Sequence, residues 1–381
     1  MIFIRVLLIS FVHVTYLIYL TSTAYSSEDA EWKTGVNYCF DKKISDAARQ
    51  AFLRGAKAWE KHTCINFTLD ESATDAIYVG QWGDICVSST GKVGGRQNLS
   101  LGEGCELYGH AAHEIGHALG LHHTQNRYDR DEHIKINWEN IEEDYKPQFN
   151  VTKWHEFIKY GLPYDYGSIM HYESNRTDPI MTLKKDHYMG TIGSPMISFI
   201  DLSMINEHYY CKKICVDKKS RTKCKNGGFP HPRNCSECIC PGGYGGRLCD
   251  KRPNDSGAVL NATPHWEPLN TKHHNPRNDS DYLKKTYWIK IEVKMTHING
   301  NLDVPGCVFA GVEIKNGTDQ TVTGHRLCST NDIGVVFTSP CNSSSNPSHL
   351  VPVIFYSYGL PRIKIEAELK YRYGNIFSLS F

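Results

Sequence analysis

Two histidines four residues apart, with a glutamate directly after the first, stand in His113-Glu-Ile-Gly-His117-Ala-Leu-Gly120-Leu-His-His123. On a helix such a pair lies on one face, one turn apart, so both imidazoles can reach a single metal ion. Gly120 can adopt the left-handed conformation that ends a helix, which lets His123 approach the same ion from beyond the helix axis. The motif spacing favours His123 over the neighbouring His122 as third ligand. Three neutral imidazoles leave one position of a single Zn2+ open to water, as catalytic sites do, whereas structural sites are closed by four protein ligands. Zinc lowers the pKa of its water from ~15.7 to roughly 7, and Glu114 stands where a general base would take the proton as a carbonyl is attacked. The chemistry implied is hydrolysis of a peptide bond. A bare HExxH also occurs as two solvated histidines on an ordinary helix; the added Gly120 and His123 separate this stretch from that case. His110, one turn upstream, reads as a polar helix residue.

A second stretch, Tyr164-Asp-Tyr-Gly-Ser-Ile-Met170-His-Tyr172, resembles the Met-turn of the astacin family. Arg127 to Asp131, Ile136 to Ile141 and Gln148-Phe149 extend the resemblance, which runs from about Trp32 to Cys211. It implies an α+β fold, a two-lobed metzincin catalytic domain with a twisted mixed sheet and a zinc helix. It also implies that Met170 lies under the metal and that Tyr172 reaches the metal or the transition-state oxyanion. Gly94 to Leu101 looks like the family's substrate-binding edge strand, and Asp201 with Ile205-Asn206 and Tyr210-Cys211 looks like its C-terminal helix. Family spacing implies the disulfides Cys64–Cys211 and Cys86–Cys105. Three departures stand out. Thr124 replaces the glutamate that usually follows the third histidine, and no long propeptide is visible between the apolar leader and Trp32. Without a trimmed terminus there is nothing for a glutamate to hold, so the expectation is an enzyme needing no proteolytic activation beyond loss of the leader. The third departure, Gly193 to Ser198 where the family often has Gly-Gln-Arg, removes a basis for preferring acidic residues after the cleaved bond.

Around these motifs the chain divides into a leader at 1–24, a peptidase domain at 25–211, a cysteine-rich module at 212–250, a β-rich domain at 251–373 and a tail at 374–381. In the peptidase segment Ser45-Asp46 opens a helix whose Ala48, Phe52, Ala56 and Trp59 form a core stripe, and Ile77 to Val79 reads as a strand. Residues 212–250 hold six cysteines in a segment too short to bury much apolar area, so cross-links must hold it. It resembles an EGF-like module, with Cys240–Cys249 implied, although Cys235-Ser-Glu-Cys238 leaves a zinc-knuckle reading open. Residues 251–280, rich in Asn, Pro and Asp, read as a linker or loose entry. Thereafter residues 288–293, 312–314, 335–337, 353–356 and 363–369 alternate apolar and polar positions between turn signals, the pattern of a β-sandwich. The segment resembles a degenerate CUB domain, with Cys307–Cys328 implied and Phe309-Ala-Gly311 in place of a calcium signature. Cys39 and Cys341 have no evident partner.

The charge balance excludes some classes of function. Among 381 residues, 42 Lys and Arg face 41 Asp and Glu, which offers no basic arm for nucleic acid and no polybasic membrane patch. The apolar run over 6–20 after Arg5 is short for a membrane span and ends in Ser22-Thr-Ala24, which fits signal-peptide cleavage, an uncleaved anchor being the alternative. No later segment is apolar enough to span a membrane, so no transmembrane segment is expected in the mature chain. Fourteen cysteines, an even number, suit an oxidising compartment. Asn-x-Ser/Thr sites at Asn66, Asn98, Asn150, Asn175, Asn234, Asn254, Asn261, Asn278, Asn316 and Asn342 agree with a secretory route. Asn98, inside the expected substrate strand, should be the least occupied or point away from the cleft. The whole reads as a secreted, extracellular zinc endopeptidase acting on proteins or peptides, with EGF-like and CUB-like modules that dock it onto substrates or extracellular matrix. The alternative is an inactive binding or adhesion protein that keeps the peptidase fold.

Overall fold

The computed structural model describes residues 30–153, 160–185, 187–276, 282–290, 292–299, 302–338, 350–359 and 363–372. The expected leader and tail, Asn278, Cys341 and Asn342 lie outside them. Among the described residues no helix is long and apolar enough to cross a membrane. Contacts sort the chain into two units: the described residues up to Lys61 with Ile65–Leu121, and His62–Cys64 with the described residues from His122 onward.

The first unit is a five-stranded sheet with two helices. Its strands are β1 (Val36–Phe40), β2 (Phe67–Leu69), β3 (Ala76–Gly80), β4 (Cys86–Ser88) and β5 (Arg96–Leu101), in the order β2-β1-β3-β5-β4. Only β4 runs antiparallel to its neighbour, so the sheet is mixed. The stretch expected to be the edge strand is therefore interior: β5 pairs with β3 on one side and β4 on the other, and β4 is the edge. The buried run Leu99-Ser-Leu101 carries the signature, since a strand covered on both faces loses its polar alternation. Helix α1 (Asp46–His62) starts where the Ser45 hydroxyl accepts the Ala48 amide at 3.2 Å. Its buried stripe brings Phe52 against Tyr38 and Phe40 of β1, at ring distances of 5.0 and 5.7 Å. On the same helix Trp59 donates its indole N–H to the Ala112 carbonyl at 2.9 Å. That bond fastens α1 to α2 (Tyr108–Ala118), the helix carrying the paired histidines. Cys39, buried in β1, has no disulfide partner among the described residues, whereas Cys86 is joined to Cys105.

The second unit contains the antiparallel pair β6 (Ile134–Ile136) and β7 (Met181–Leu183), over a core of Ile134, Met181, Tyr164, Tyr166 and Ile192. Helix α3 (Phe199–His208) is opened by a capping box in which Ser198 and Asp201 satisfy each other's backbone amides. The Cys64–Cys211 disulfide ties down its far end. A hairpin, β8 (Phe229–His231) with β9 (Asn234–Ile239), follows and is cross-linked by Cys215–Cys235, Cys224–Cys238 and Cys240–Cys249, so these cysteines form disulfides and not a zinc knuckle. The rest is a two-sheet sandwich. One sheet, in the order β10-β12-β17-β14-β15, contains β10 (Val259–Leu260), β12 (Tyr282–Lys290), β14 (Ala310–Ile314), β15 (His325–Leu327) and β17 (Leu350–Tyr358). The other, in the order β11-β18-β13-β16, contains β11 (Glu267–His274), β13 (Glu292–Ile298), β16 (Val336–Thr338) and β18 (Lys364–Arg372). Cys307 and Cys328 are bonded inside its core.

Two sequence expectations fail here. The stretch expected to be a linker supplies β10 and β11. In β11 the inward positions are Leu269, Thr271 and His273, so the apolar period is hidden. The two polar ones are accommodated by hydrogen bonds, Thr271 to the Tyr287 hydroxyl at 3.3 Å and His273 to the Leu283 carbonyl at 2.9 Å. The run read as one strand over 288–293 belongs to two, β12 in one sheet and β13 in the other.

Candidate active site

The end of α2 explains how three histidines separated in sequence can converge. The Gly120 amide bonds back to the His117 carbonyl at 2.7 Å and the Leu121 amide to the Gly116 carbonyl at 2.9 Å, while Gly120 takes a φ of +101°. A residue with a Cβ resists that conformation, so glycine is needed to end the helix and reverse the chain. The reversal brings the Leu121 carbonyl to 2.7 Å from His117 Nδ1. A carbonyl only accepts, so Nδ1 carries the proton and Nε2 is left with its lone pair for a metal. Ligand atoms of His113, His117 and His123 all lie within 4.8 Å of one another, and they form the one such cluster among the described residues. His122 is not part of it.

Glu114 is 4 % exposed, and its Oε2 has no hydrogen-bond partner. Burial pushes its carboxyl up to about 8. An orphaned carboxylate oxygen in the interior is costly unless a charge or a donor arrives. Three convergent imidazole donors with such an oxygen on the same helix fit a divalent zinc ion and its water.

Beyond the turn, a set of buried polar contacts fixes the residues that follow His123. Thr124 donates its backbone amide to the Met170 carbonyl at 2.9 Å and its hydroxyl to Ser168 at 2.9 Å. Ser168 donates in turn to Asp201 at 2.6 Å, and Asp201 also accepts the amides of Ile169 and Ser198. Burial raises the Asp201 carboxyl to about 6 despite those donors. Position 124 is thus engaged within the protein and buried. Met170 is 1 % exposed at the centre of this turn. The Tyr172 ring lies 4.3 Å from that of His123, and the Tyr172 amide is held by Gln125 Oε1 at 3.0 Å.

Two buried arginines support the same region. Arg127 makes a bidentate pair with Asp129 and reaches the Leu162 and Pro163 carbonyls, and Arg130 bonds the Gln125 and Phe149 carbonyls. Sequence reading marked Arg127 to Asp131 only as a family match and gave Ser168 and Asp201 no role. The arginine pair flanking the third histidine was the signal available; the Asp201 link, more than thirty residues from Ser168, left none in the sequence.

The family model for the astacin peptidases matches residues 24–210. Zinc metalloproteinase nas-31 of Caenorhabditis elegans is 41% identical over 338 residues, covering 86% of this chain and 54% of that protein. Zinc metalloproteinase nas-25 of the same nematode is 34% identical over 340 residues, covering 83% of this chain and 80% of that protein. Among solved structures, high choriolytic enzyme 1, a hatching enzyme zinc-protease from the medaka Oryzias latipes, is 30% identical, covers 48% of this chain and 92% of that one, and superposes with a TM-score of 0.44. The chain spans about half the length of nas-31 and four fifths that of nas-25.

Proposed function

Since this chain belongs to the astacin family of zinc peptidases, we propose that it is an endopeptidase that hydrolyses peptide bonds of extracellular proteins. His113, His117 and His123 would hold one zinc ion, and the observation that carries the reading is their convergence on the helix that buries the unpaired Oε2 of Glu114. When bound, zinc supplies a Lewis acid and an acidified water. Glu114 then acts as general base, taking the proton of the attacking water and handing it to the departing amine. The Tyr172 hydroxyl donates to the oxyanion that develops on the attacked carbonyl, and the hold of Gln125 on its backbone limits where that hydroxyl can go.

The disulfide-rich segment at 212–250 and the sandwich after it are read as EGF-like and CUB-like modules that bring the peptidase to substrates or matrix. A secretory route is supported by seven sequon asparagines with exposed side chains: Asn66, Asn98, Asn150, Asn175, Asn234, Asn254 and Asn261. An adhesion protein that kept only the fold would not need the full set of three ligands and a base, and all four residues are present. The test is hydrolysis of an internally quenched peptide by the purified chain, with and without a chelator. Activity that disappears with chelation and returns with zinc is expected; hydrolysis indifferent to chelation, or none from zinc-replete protein, would refute the reading.

A further inference from the structure

The loop that enters β15 is seated on the turn that carries Tyr172. Thr323 donates its backbone amide to Asp165 Oδ1 at 3.0 Å and its hydroxyl to Asp165 Oδ2 at 3.1 Å. Both residues are buried, and 158 positions separate them in sequence. Asp165 Oδ1 also receives the Gly167 amide at 3.1 Å, so one carboxylate joins the sandwich loop to the turn's own backbone. The approach requires glycine: a Cβ on Gly167 would stand 2.4 Å from Thr323 Cβ.

The contact is reinforced close by. Arg326 donates its amide to Thr191 Oγ1 at 2.9 Å and its guanidinium to Ser194 at 2.6 Å, while it pairs with Glu313 of the sandwich at 3.1 Å. A Cβ on Gly190 would meet the Arg326 carbonyl at 2.3 Å. Burying charged groups is costly unless each is paired and hydrogen-bonded, so these contacts define one docking geometry and penalise others. From Asp165 the turn continues through Gly167 and Ser168 to Met170, whose carbonyl holds Thr124 beside His123, and on to Tyr172.

We propose that Thr323 is a positioning residue for the peptidase reaction: through Asp165 the C-terminal sandwich holds the turn that places Tyr172, and is thereby part of the catalytic scaffold as well as a docking module. The proposal rests on the peptidase reading for its kinetic consequence and on the contact alone for its structural one. The two are tested separately in the full-length chain. In metal-free protein, amide hydrogen exchange over 165–172 should quicken about tenfold in Thr323→Val, which loses one hydrogen bond and sets a methyl group against the carboxylate, with the β1–β3–β5 sheet unchanged as control. Thr323→Ser should restore wild-type exchange. In zinc-loaded protein, Thr323→Val should lower kcat roughly tenfold with KM little altered, because a displaced turn misplaces a group used mainly in the transition state.

Exchange over 165–172 that is the same in wild type and Thr323→Val overturns the proposal, whatever the activity. Faster exchange with unaltered kcat overturns its kinetic half. A wild-type chain that cleaves nothing, while exchange responds as described, defeats the peptidase reading and leaves the clasp in place. If Thr323→Val does not fold, Thr323→Ala decides, since it removes the hydroxyl without setting a methyl group against the carboxylate; faster exchange over 165–172 supports the contact, and wild-type exchange contradicts it.

Discussion

At the scale of single residues the question is whether each side chain near the site touches the reacting atoms or only holds a neighbour. Tyr172 is assigned to the oxyanion, so Tyr172→Phe should lower kcat more than it raises KM; a kcat unchanged in steady-state peptide assays would place the ring in the core beside Phe149 and His123 instead. His171, next to it, is a holding residue. Its Nδ1 donates to the Tyr172 carbonyl and its Nε2 accepts from the Tyr164 hydroxyl, both at 2.7 Å, and burial depresses its pKa to about 4. The unfolded chain takes up this proton near pH 6.5 and the folded one only near 4, so His171 favours the fold above pH 6.5 and that support is lost as pH falls between the two values. Between pH 7 and pH 5 the loss should be about 2 kcal/mol, and His171→Gln should flatten that slope in urea titrations at the two pH values. A variant with the wild-type slope would remove His171 from the account. The candidate site was legible because it is local: eleven consecutive residues hold the three histidines that converge, Glu114 and the turn glycine. The Met-turn motif drew attention to Tyr172, whose ring lies beside His123, while the contacts behind it, Ser168 with Asp201, join residues through space and leave no spacing to read.

At the scale of elements the paired histidines depend on how closely α2 approaches α1. Gly55 lies inside α1, where alanine would ordinarily gain about 1 kcal/mol of helix propensity. A Cβ there would stand 3.0 Å from Ile115 Cδ1 and 3.1 Å from the Ala112 backbone nitrogen, and the Trp59 bond to Ala112 limits any retreat of α2. Overpacking of this kind costs about 1–3 kcal/mol, which outweighs the propensity gain. Gly55→Ala should therefore lower the denaturant midpoint, and a raised midpoint would mean that the helices have slack. Element types were readable where the apolar period was clean, as in the α1 stripe and in β3, β14 and β18. They were misread where inward positions are polar, as at Thr271 and His273 of β11, and where an interior strand was taken for the edge, as with β5.

At the scale of the molecule the sequence could count modules but could not say how they are joined. No local pattern links Asp165 to Thr323, because the two meet across 158 residues of sequence. Burial also separates the sequons that a glycan can reach. Asn316 is half-buried and its Nδ2, the atom a glycan would take, donates to the Thr338 carbonyl at 3.3 Å. Glycopeptide mapping of chain secreted from a eukaryotic host should find Asn316 far less occupied than the exposed Asn66, Asn150 and Asn234; equal occupancy would argue against the way this strand end is packed. The claim on which the rest depends is that one zinc and one carboxylate make this chain a peptidase. Glu114→Gln tests it most directly, since the substitution removes a base and leaves all three ligands. Metal analysis of the full-length variant should find zinc at the wild-type ratio while peptide turnover falls by about 10²–10⁴-fold or more. A variant that still turns over at the wild-type rate, or that loses its zinc along with its activity, would contradict the account.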